Sequence, residues 1–252
     1  PETSRYVYFG AVLIVLIAVE LLRGVAIAPR ALLMAAPLVA LCALVGLDDI
    51  DIGAGVLRTT SQTVKAELGA LQLVAARAPA AYEPDPQRAP QIKAGPYLQA
   101  VRAIGSSPAD TPAQLLAADP ASRAAADNVL LALAPPQLSA VAAGTSIGGP
   151  APAIISLEAG TIARRGSCVL LAPVAGAARA SFRAGAGGVL LRARGAPASA
   201  LARSFGDVLH PLAPLIPSGG SAVLRASADA SAVPWTFAAI SSGSLAICAV
   251  RG

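Results

Sequence analysis

Two long apolar runs open the chain, and their uniform character separates them from everything that follows. Residues 6–22 contain Glu20 as their only charged side chain, and residues 31–47 contain none. Neither run has the polar position at every third or fourth residue that an amphipathic helix of a soluble core shows. Each run is close to the lower length limit for a bilayer-spanning helix. The pattern therefore predicts a transmembrane helical hairpin over residues 1–51.

The charges around these runs predict an orientation. Short cytoplasmic loops collect Lys and Arg, and the connection between the runs holds Arg23 and Arg30, whereas Asp48, Asp49 and Asp51 follow the second run. We therefore expect a multi-pass protein of the cell membrane, with the rest of the chain outside the cytoplasm. The alternative is a helical hairpin buried in a large soluble core. A chain that begins Pro-Glu-Thr-Ser directly before a span is also expected to be the tail of a longer protein.

Helical patterns continue after the hairpin. Residues 57–78 carry apolar side chains at helical spacing, and proline stops the pattern. Two helix starts follow, a capping box with proline at residues 111–114 and an Asp-Pro pair at 119–120. We interpret residues 52–139 as a small extracytoplasmic α-helical connector. The Gly-, Ala-, Ser- and Pro-rich stretch 140–152 is typical of a linker.

From residue 153 onward the period of apolar positions changes to two, which is typical of strands. Many short strands separated by Gly, Pro and Ser predict an extracytoplasmic antiparallel β-sandwich over residues 153–252, of the jelly-roll or immunoglobulin-like kind. The candidate strands are 153–158, 167–172, 177–183, 187–194, 198–204, 221–226, 234–240 and 244–250.

Basic residues concentrate in this last domain. The formal net charge is +5, and residues 151–252 carry nine of the 19 basic side chains but three of the 14 acidic ones. Arg179 and Arg183 share one face of a predicted strand, and Arg192 and Arg194 share one face of the next. If these strands are neighbours, four arginines gather on one sheet face. That face is either a solvated surface or a patch that binds lipid headgroups or an anionic glycan. The expected location argues against nucleic acid.

Few residues are suited to covalent or metal chemistry. Cys168 and Cys248 both lie in strand-like sequence, and an oxidising compartment would let them form a disulfide. The alternative is two unrelated buried thiols. His210 is the only histidine and no Cys-x-x-Cys spacing occurs, so we expect no metal and no cofactor. Trp235 could stack on a sugar, but its apolar neighbours favour a place in the core.

Two stretches of the chain resemble a known class of membrane enzyme. SRYVYFGAVLIVLIAVELLRG, with Arg5-Tyr6 at its start, resembles a late transmembrane helix of polytopic glycosyltransferases of the GT-C type. AGPYLQAVRAIGSSPADTPAQLLAADPASRAAADNVLLAL is similar to the tail of large actinobacterial membrane proteins of this kind. The resemblance implies an enzyme that uses a polyprenyl-phosphate-linked sugar in cell-envelope glycan assembly. The catalytic acid of that family lies in an early loop that this chain lacks, so no catalytic residue carries over.

Three functions follow from these expectations. The chain is the non-catalytic C-terminal portion of an integral-membrane glycosyltransferase, or it is a membrane-anchored protein that binds envelope polysaccharide or lipid, or it is an assembly subunit of an envelope complex. A self-contained hydrolase is disfavoured, because the sequence has one histidine and no Gly-x-Ser-x-Gly or paired-carboxylate motif. Whether the protein is part of an enzyme stays open at this point.

Overall fold

The computed structural model describes residues 4–21, 23, 29–141, 145–185, 187–226, 233 and 235–251. The chain divides into two compact units, Pro1–Leu57 and Arg58–Gly252. The described α-helices are α1 (Ser4–Leu21), α2 (Pro29–Leu73), α3 (Ala94–Ile104), α4 (Pro112–Ala117) and α5 (Pro120–Leu133), and a short 3-10 helix (Ala75–Arg77) follows α2.

The predicted transmembrane hairpin is wrong. Within the described residues, no helix combines the length and the apolar character that crossing a membrane requires. Helix α1 has 18 residues with Glu20 in its last turn, whereas a span needs roughly 20 apolar residues. The uncharged run 31–47 belongs to a single helix, α2, that continues through Asp48, Asp49 and Asp51 for 45 residues in all.

The N-terminal unit contributes no described residue to the buried core. Many of its large apolar side chains are exposed, from Val12 at 42% to Leu21 at 75% in α1, and Leu57 is 72% exposed in α2. The core begins in the second unit, where Ala66, Leu71 and other residues of the last turns of α2 are fully buried.

The predicted helix starts of the second unit are confirmed. At α4, the Thr111 hydroxyl accepts the N–H of Gln114, and the Gln114 side chain accepts the N–H of Thr111, which completes the capping box. At α5, the Asp119 carboxylate accepts the backbone N–H groups of Ala121 and Ser122. These caps satisfy backbone donors that the first turn of a helix leaves without a partner.

Eleven described strands form two antiparallel sheets. One sheet has the order β1-β9-β6-β11-β4-β3 and the other β2-β5-β10-β7-β8. The strands are β1 (Gln137–Ala140), β2 (Ala153–Ala159), β3 (Thr161–Arg165), β4 (Cys168–Ala172), β5 (Ala178–Arg183), β6 (Val189–Arg194), β7 (Ala198–Arg203), β8 (His210–Ile216), β9 (Ser221–Arg225), β10 (Thr236–Ser241) and β11 (Ser244–Ala249).

The two sheets bury one common apolar core. Phe182 and Phe237 of the five-stranded sheet are fully buried in the same cluster as Leu191 and Ile247 of the six-stranded sheet. Trp235 is 4% exposed and belongs to this cluster as well, so its core placement is confirmed. The alternation of apolar positions that predicted strands therefore correctly identified the faces that the sheets turn toward each other.

The predicted disulfide is present. Cys168 of β4 and Cys248 of β11 are bonded and lie opposite each other in adjacent strands. They sit on the outer face of the six-stranded sheet, within a small second cluster that includes Leu190, Val223 and Val250. The bond closes a loop with a sequence separation of 80 residues.

Candidate functional site: an arginine cleft at one end of the sheets

The four predicted arginines do not share a face. Arg179 and Arg183 lie on β5 in the five-stranded sheet, whereas Arg192 and Arg194 lie on β6 in the six-stranded sheet. The two strands follow each other in the chain but are not neighbours in either sheet. The condition for a four-arginine patch is therefore not met.

Three of the four arginines are either paired with an acid or exposed on a sheet face. The Arg179 Nε atom lies 3.0 Å from the Glu158 Oε2 atom of the neighbouring strand β2, so this cation is neutralised. Arg192 and Arg194 are exposed, and Arg192 lies opposite Ser221 of β9 and Ala246 of β11. Such exposed, long charged side chains are typical of a solvated sheet face.

Arg183 instead lines a cleft together with Arg251. The cleft has a volume of about 670 Å³ and is otherwise walled by small and apolar residues: Gly148, Gly149, Pro150, Ala151, Pro152, Ala153, Ala184, Gly185, Gly187, Gly188, Ala249 and Val250. Both arginine side chains are exposed. Two arginines that line one recess offer N–H donors suited to carboxylate or phosphate.

Sheet hydrogen bonds position Arg251. Ile147 pairs with Val250 as an isolated antiparallel bridge. The Gly148 N–H donates to the Ala249 carbonyl at 3.1 Å, and the Arg251 N–H donates to the Ser146 carbonyl at 3.0 Å. These bonds fix the segment that follows β11 at the rim of the cleft.

Glycine lets the backbone approach closely at this rim. A Cβ atom on Gly148 would lie 3.0 Å from the Arg251 Nε atom, so the guanidinium group packs over a bare backbone. Gly188 has a φ of 88°, and a Cβ atom there would lie 2.6 Å from the Leu224 carbonyl oxygen. Residues with a side chain are strained in that conformation, so the turn beside Arg183 depends on glycine.

Arg183 is held at the opposite wall by the five-stranded sheet. It is the last residue of β5 and lies opposite Ala153 of β2 and Thr236 of β10. The N–H of Gly188 donates to the Gly185 carbonyl at 2.9 Å and closes the turn after β5. The side chain thus extends from the end of a strand that has a partner on both sides.

The electrostatic character of the cleft is cationic. No acidic residue belongs to its described lining. Between residues 145 and 251, the two acidic residues that the structure describes, Glu158 and Asp207, pair with other arginines: Glu158 with Arg179, and Asp207 with Arg123 at 2.5 Å and Arg203 at 3.6 Å. Within the described part of the chain, Arg183 and Arg251 therefore retain uncompensated charge in a partly enclosed site, which favours an anion.

The sequence analysis did not predict this cleft, although it selected Arg183 as one of four arginines on a single sheet face. Arg183 was selected for its strand alternation, but Arg251 lies just beyond the last predicted strand. The glycines of 185–188 and 148–149 were a usable signal, because clustered glycine at a strand end permits close approach of backbone to a ligand.

The remaining sequence candidates give no second site of this kind. Arg5 and Tyr6 lie in the first turn of α1, but their side chains are outside the described part of the structure. His210 is the first residue of β8 and lines a separate pocket of about 580 Å³ with prolines and leucines. Among the described residues, no group of three or more His, Cys, Asp or Glu side chains could hold a metal ion.

Comparison with known proteins gives no assignment. The chain matches no protein-family model, and it matches no curated protein. A solved structure described as "Crystal Structure of FeII HppE" aligns with 58% of this chain and 96% of its own, at 16% sequence identity and a TM-score of 0.13. That similarity is too low to indicate a shared fold.

Proposed function

We propose that the second unit is a binding module for an anionic glycan, and that Arg183 and Arg251 hold a carboxylate or phosphate group of that glycan. The observation that carries the proposal is the pairing of two arginines without an acid in one described cleft. The disulfide supports a location outside the cytoplasm, where such bonds persist. A recess of about 670 Å³ suits one or two units of a polymer.

The test compares two pairs of arginines. Replacing Arg183 and Arg251 together by Gln is expected to weaken binding to polygalacturonate, a carboxylated glycan, by about a hundredfold or more, because two charge-assisted hydrogen bonds are lost and each contributes about 1.5 kcal/mol or more. Isothermal titration calorimetry at low salt measures the affinity. The matched control replaces Arg192 and Arg194, which are exposed on the outer sheet face.

The two variants separate the possible outcomes. Weaker binding only in the Arg183 and Arg251 variant supports the proposal. Weaker binding only in the Arg192 and Arg194 variant assigns the ligand to the outer sheet face and overturns it. Retention on phosphatidylglycerol vesicles without retention on polygalacturonate also overturns it, since the ligand would then be a lipid surface.

The function implied by the resemblance, the non-catalytic portion of a glycosyltransferase that uses a polyprenyl-phosphate-linked sugar, stays a prediction. The coding sequence upstream of Pro1 tests it. An in-frame continuation that encodes further hydrophobic segments and an acidic residue in an early loop would support it, and a start codon directly before Pro1 would contradict it.

A further inference from the structure

Two carboxyl groups meet in the interior of the helical part of the second unit. Glu67 of α2 is 7% exposed, and Asp85, in the connection between α2 and α3, is 5% exposed. The two side chains are within hydrogen-bonding reach of each other. The Glu67 Oε2 atom has no hydrogen-bond partner among the described residues. A buried carboxylate oxygen without a donor is costly, so this pair requires an explanation.

Asp85 already accepts three hydrogen bonds, two at Oδ1 and one at Oδ2, so its Oδ2 atom can still accept a proton from Glu67. Its Oδ1 atom accepts the N–H groups of Gln87 at 3.2 Å and Arg88 at 2.9 Å. Its Oδ2 atom accepts the Arg88 guanidinium group at 3.1 Å. A metal ion would have to displace Arg88 and would meet its positive charge. A single proton between Glu67 and Asp85 needs no such rearrangement.

The electrostatics favour that proton on Glu67. The pKa of Glu67 is raised to about 7, because burial and the negative charge of Asp85 both raise it and outweigh the nearby Arg88, which lowers it. The other titratable group at this position is Tyr82, whose pKa is raised by burial and by Glu67. Glu67 therefore exchanges its proton near neutral pH.

The segment that carries Asp85 and Tyr82, residues 79–93, closes on itself beside α2. The Ala94 N–H donates to the Tyr82 carbonyl at 2.8 Å, and the Gly95 N–H donates to the Ala80 carbonyl at 2.9 Å. The Ala89 N–H donates to the Asp85 carbonyl at 3.0 Å. Among the described residues, the backbone bonds of this segment stay within residues 79–97, so its attachment to α2 depends on side chains.

We propose that Glu67 and Asp85 form a pH-sensitive latch, which holds residues 79–93 against α2 while the two carboxyl groups share one proton and releases them when that proton is lost. The direction follows from linkage. Because the pKa of Glu67 is raised on folding from 4.5 to about 7, the stabilisation is complete below pH 4.5 and is lost as the pH rises through 7. The latch does not depend on the ligand of the arginine cleft.

Hydrogen exchange of the full chain tests the latch. Between about pH 5 and about pH 8, after correction for intrinsic exchange rates, the protection of the Ala89, Ala94 and Gly95 amides is expected to fall by roughly tenfold or more. The Glu67→Gln variant, which keeps a donor toward Asp85 at every pH, is expected to lose this pH dependence. Glu83→Gln is the matched control, because Glu83 lies in the same segment but forms a partly exposed ion pair with Lys93. Its pH dependence should equal that of the wild type.

A second variant keeps the proposal testable if Glu67→Gln does not fold. Asp85→Asn removes the negative charge that opposes ionisation of Glu67, so the midpoint of the exchange transition should move to lower pH. The proposal is overturned if protection is independent of pH in the wild type. It is also overturned if Glu67→Gln keeps the wild-type transition, or if the NMR titration of the Glu67 carboxyl carbon has its midpoint at the ordinary value near 4.5.

Discussion

A single buried side chain, Asp127, links helix α5 to the turn after strand β7 by hydrogen bonds. It lies in α5 and is fully buried. Its carboxylate accepts the backbone N–H groups of Ser204 at 3.1 Å, Phe205 at 2.7 Å and Gly206 at 3.0 Å, in the turn after β7. Burial raises the pKa of Asp127, and the three N–H donors act in the opposite direction. The carboxylate takes up three backbone donors that would otherwise be buried without a partner.

The Asp127→Ala variant is therefore expected to lower the free energy of unfolding by about 3 kcal/mol, because it leaves buried donors unsatisfied. Urea denaturation followed by circular dichroism measures the change. Asp119→Ala, which removes an exposed N-cap from the same helix, should cost only about 1 kcal/mol. Equal losses in the two variants would contradict this expectation, because the buried hydrogen bonds of Asp127 would then contribute no more than an exposed helix cap.

At the scale of elements, the disulfide joins two strands that are already paired. Because Cys168 and Cys248 lie opposite each other in β4 and β11, the bond closes a long loop between strands that the sheet already pairs. Replacing both cysteines by serine is expected to lower the free energy of unfolding by about 4 kcal/mol on the chain-entropy account. Guanidinium denaturation with and without reductant measures it. A midpoint that is unchanged by reductant would contradict this expectation.

Two glycines of α2 are expected to respond oppositely to alanine. A Cβ atom on Gly69 would overlap the carbonyl oxygen of Asp110, whereas Gly53 has nothing within 4 Å of such an atom. Gly53→Ala should leave stability unchanged or raise it by up to about 1 kcal/mol, the usual gain in a helix. Gly69→Ala should lower it, because the loop before α4 must move. Thermal unfolding compares the two, and a stabilised Gly69→Ala protein would refute the close contact.

The strands that the sequence failed to predict are all edge strands. β1 and β3 border the six-stranded sheet, and β8 borders the five-stranded one. Every residue of β3 is exposed, so no alternation of buried positions marks it. β8 contains Pro211 and Pro214, which are tolerated at an edge but argue against a strand in sequence. The eight predicted strands include every interior strand, because burial on one or both faces leaves a pattern in the sequence.

The candidate site was less predictable than the strands, because it depends on contacts between distant parts of the chain. Which strands become neighbours is not encoded in the alternation of either one, and β5 and β6 illustrate this by entering different sheets. The cleft joins Arg183 to Arg251, which are far apart in sequence. The latch likewise joins Glu67 to an acid in a proline-rich segment. The positive charge of residues 151–252 could be predicted from the composition, but its location in the fold could not.

For the molecule as a whole, the central claim is that this excess of positive charge binds an anion at the arginine cleft. The most direct test is an NMR titration of the protein with polygalacturonate at low salt, followed through backbone amides and arginine Nε–H signals. The proposal predicts saturable shifts at Arg183, Arg251, Gly148 and Gly187, which 0.5 M salt should abolish because screening weakens such contacts. Shifts confined to Arg192 and Arg194, or none at any arginine, would contradict it.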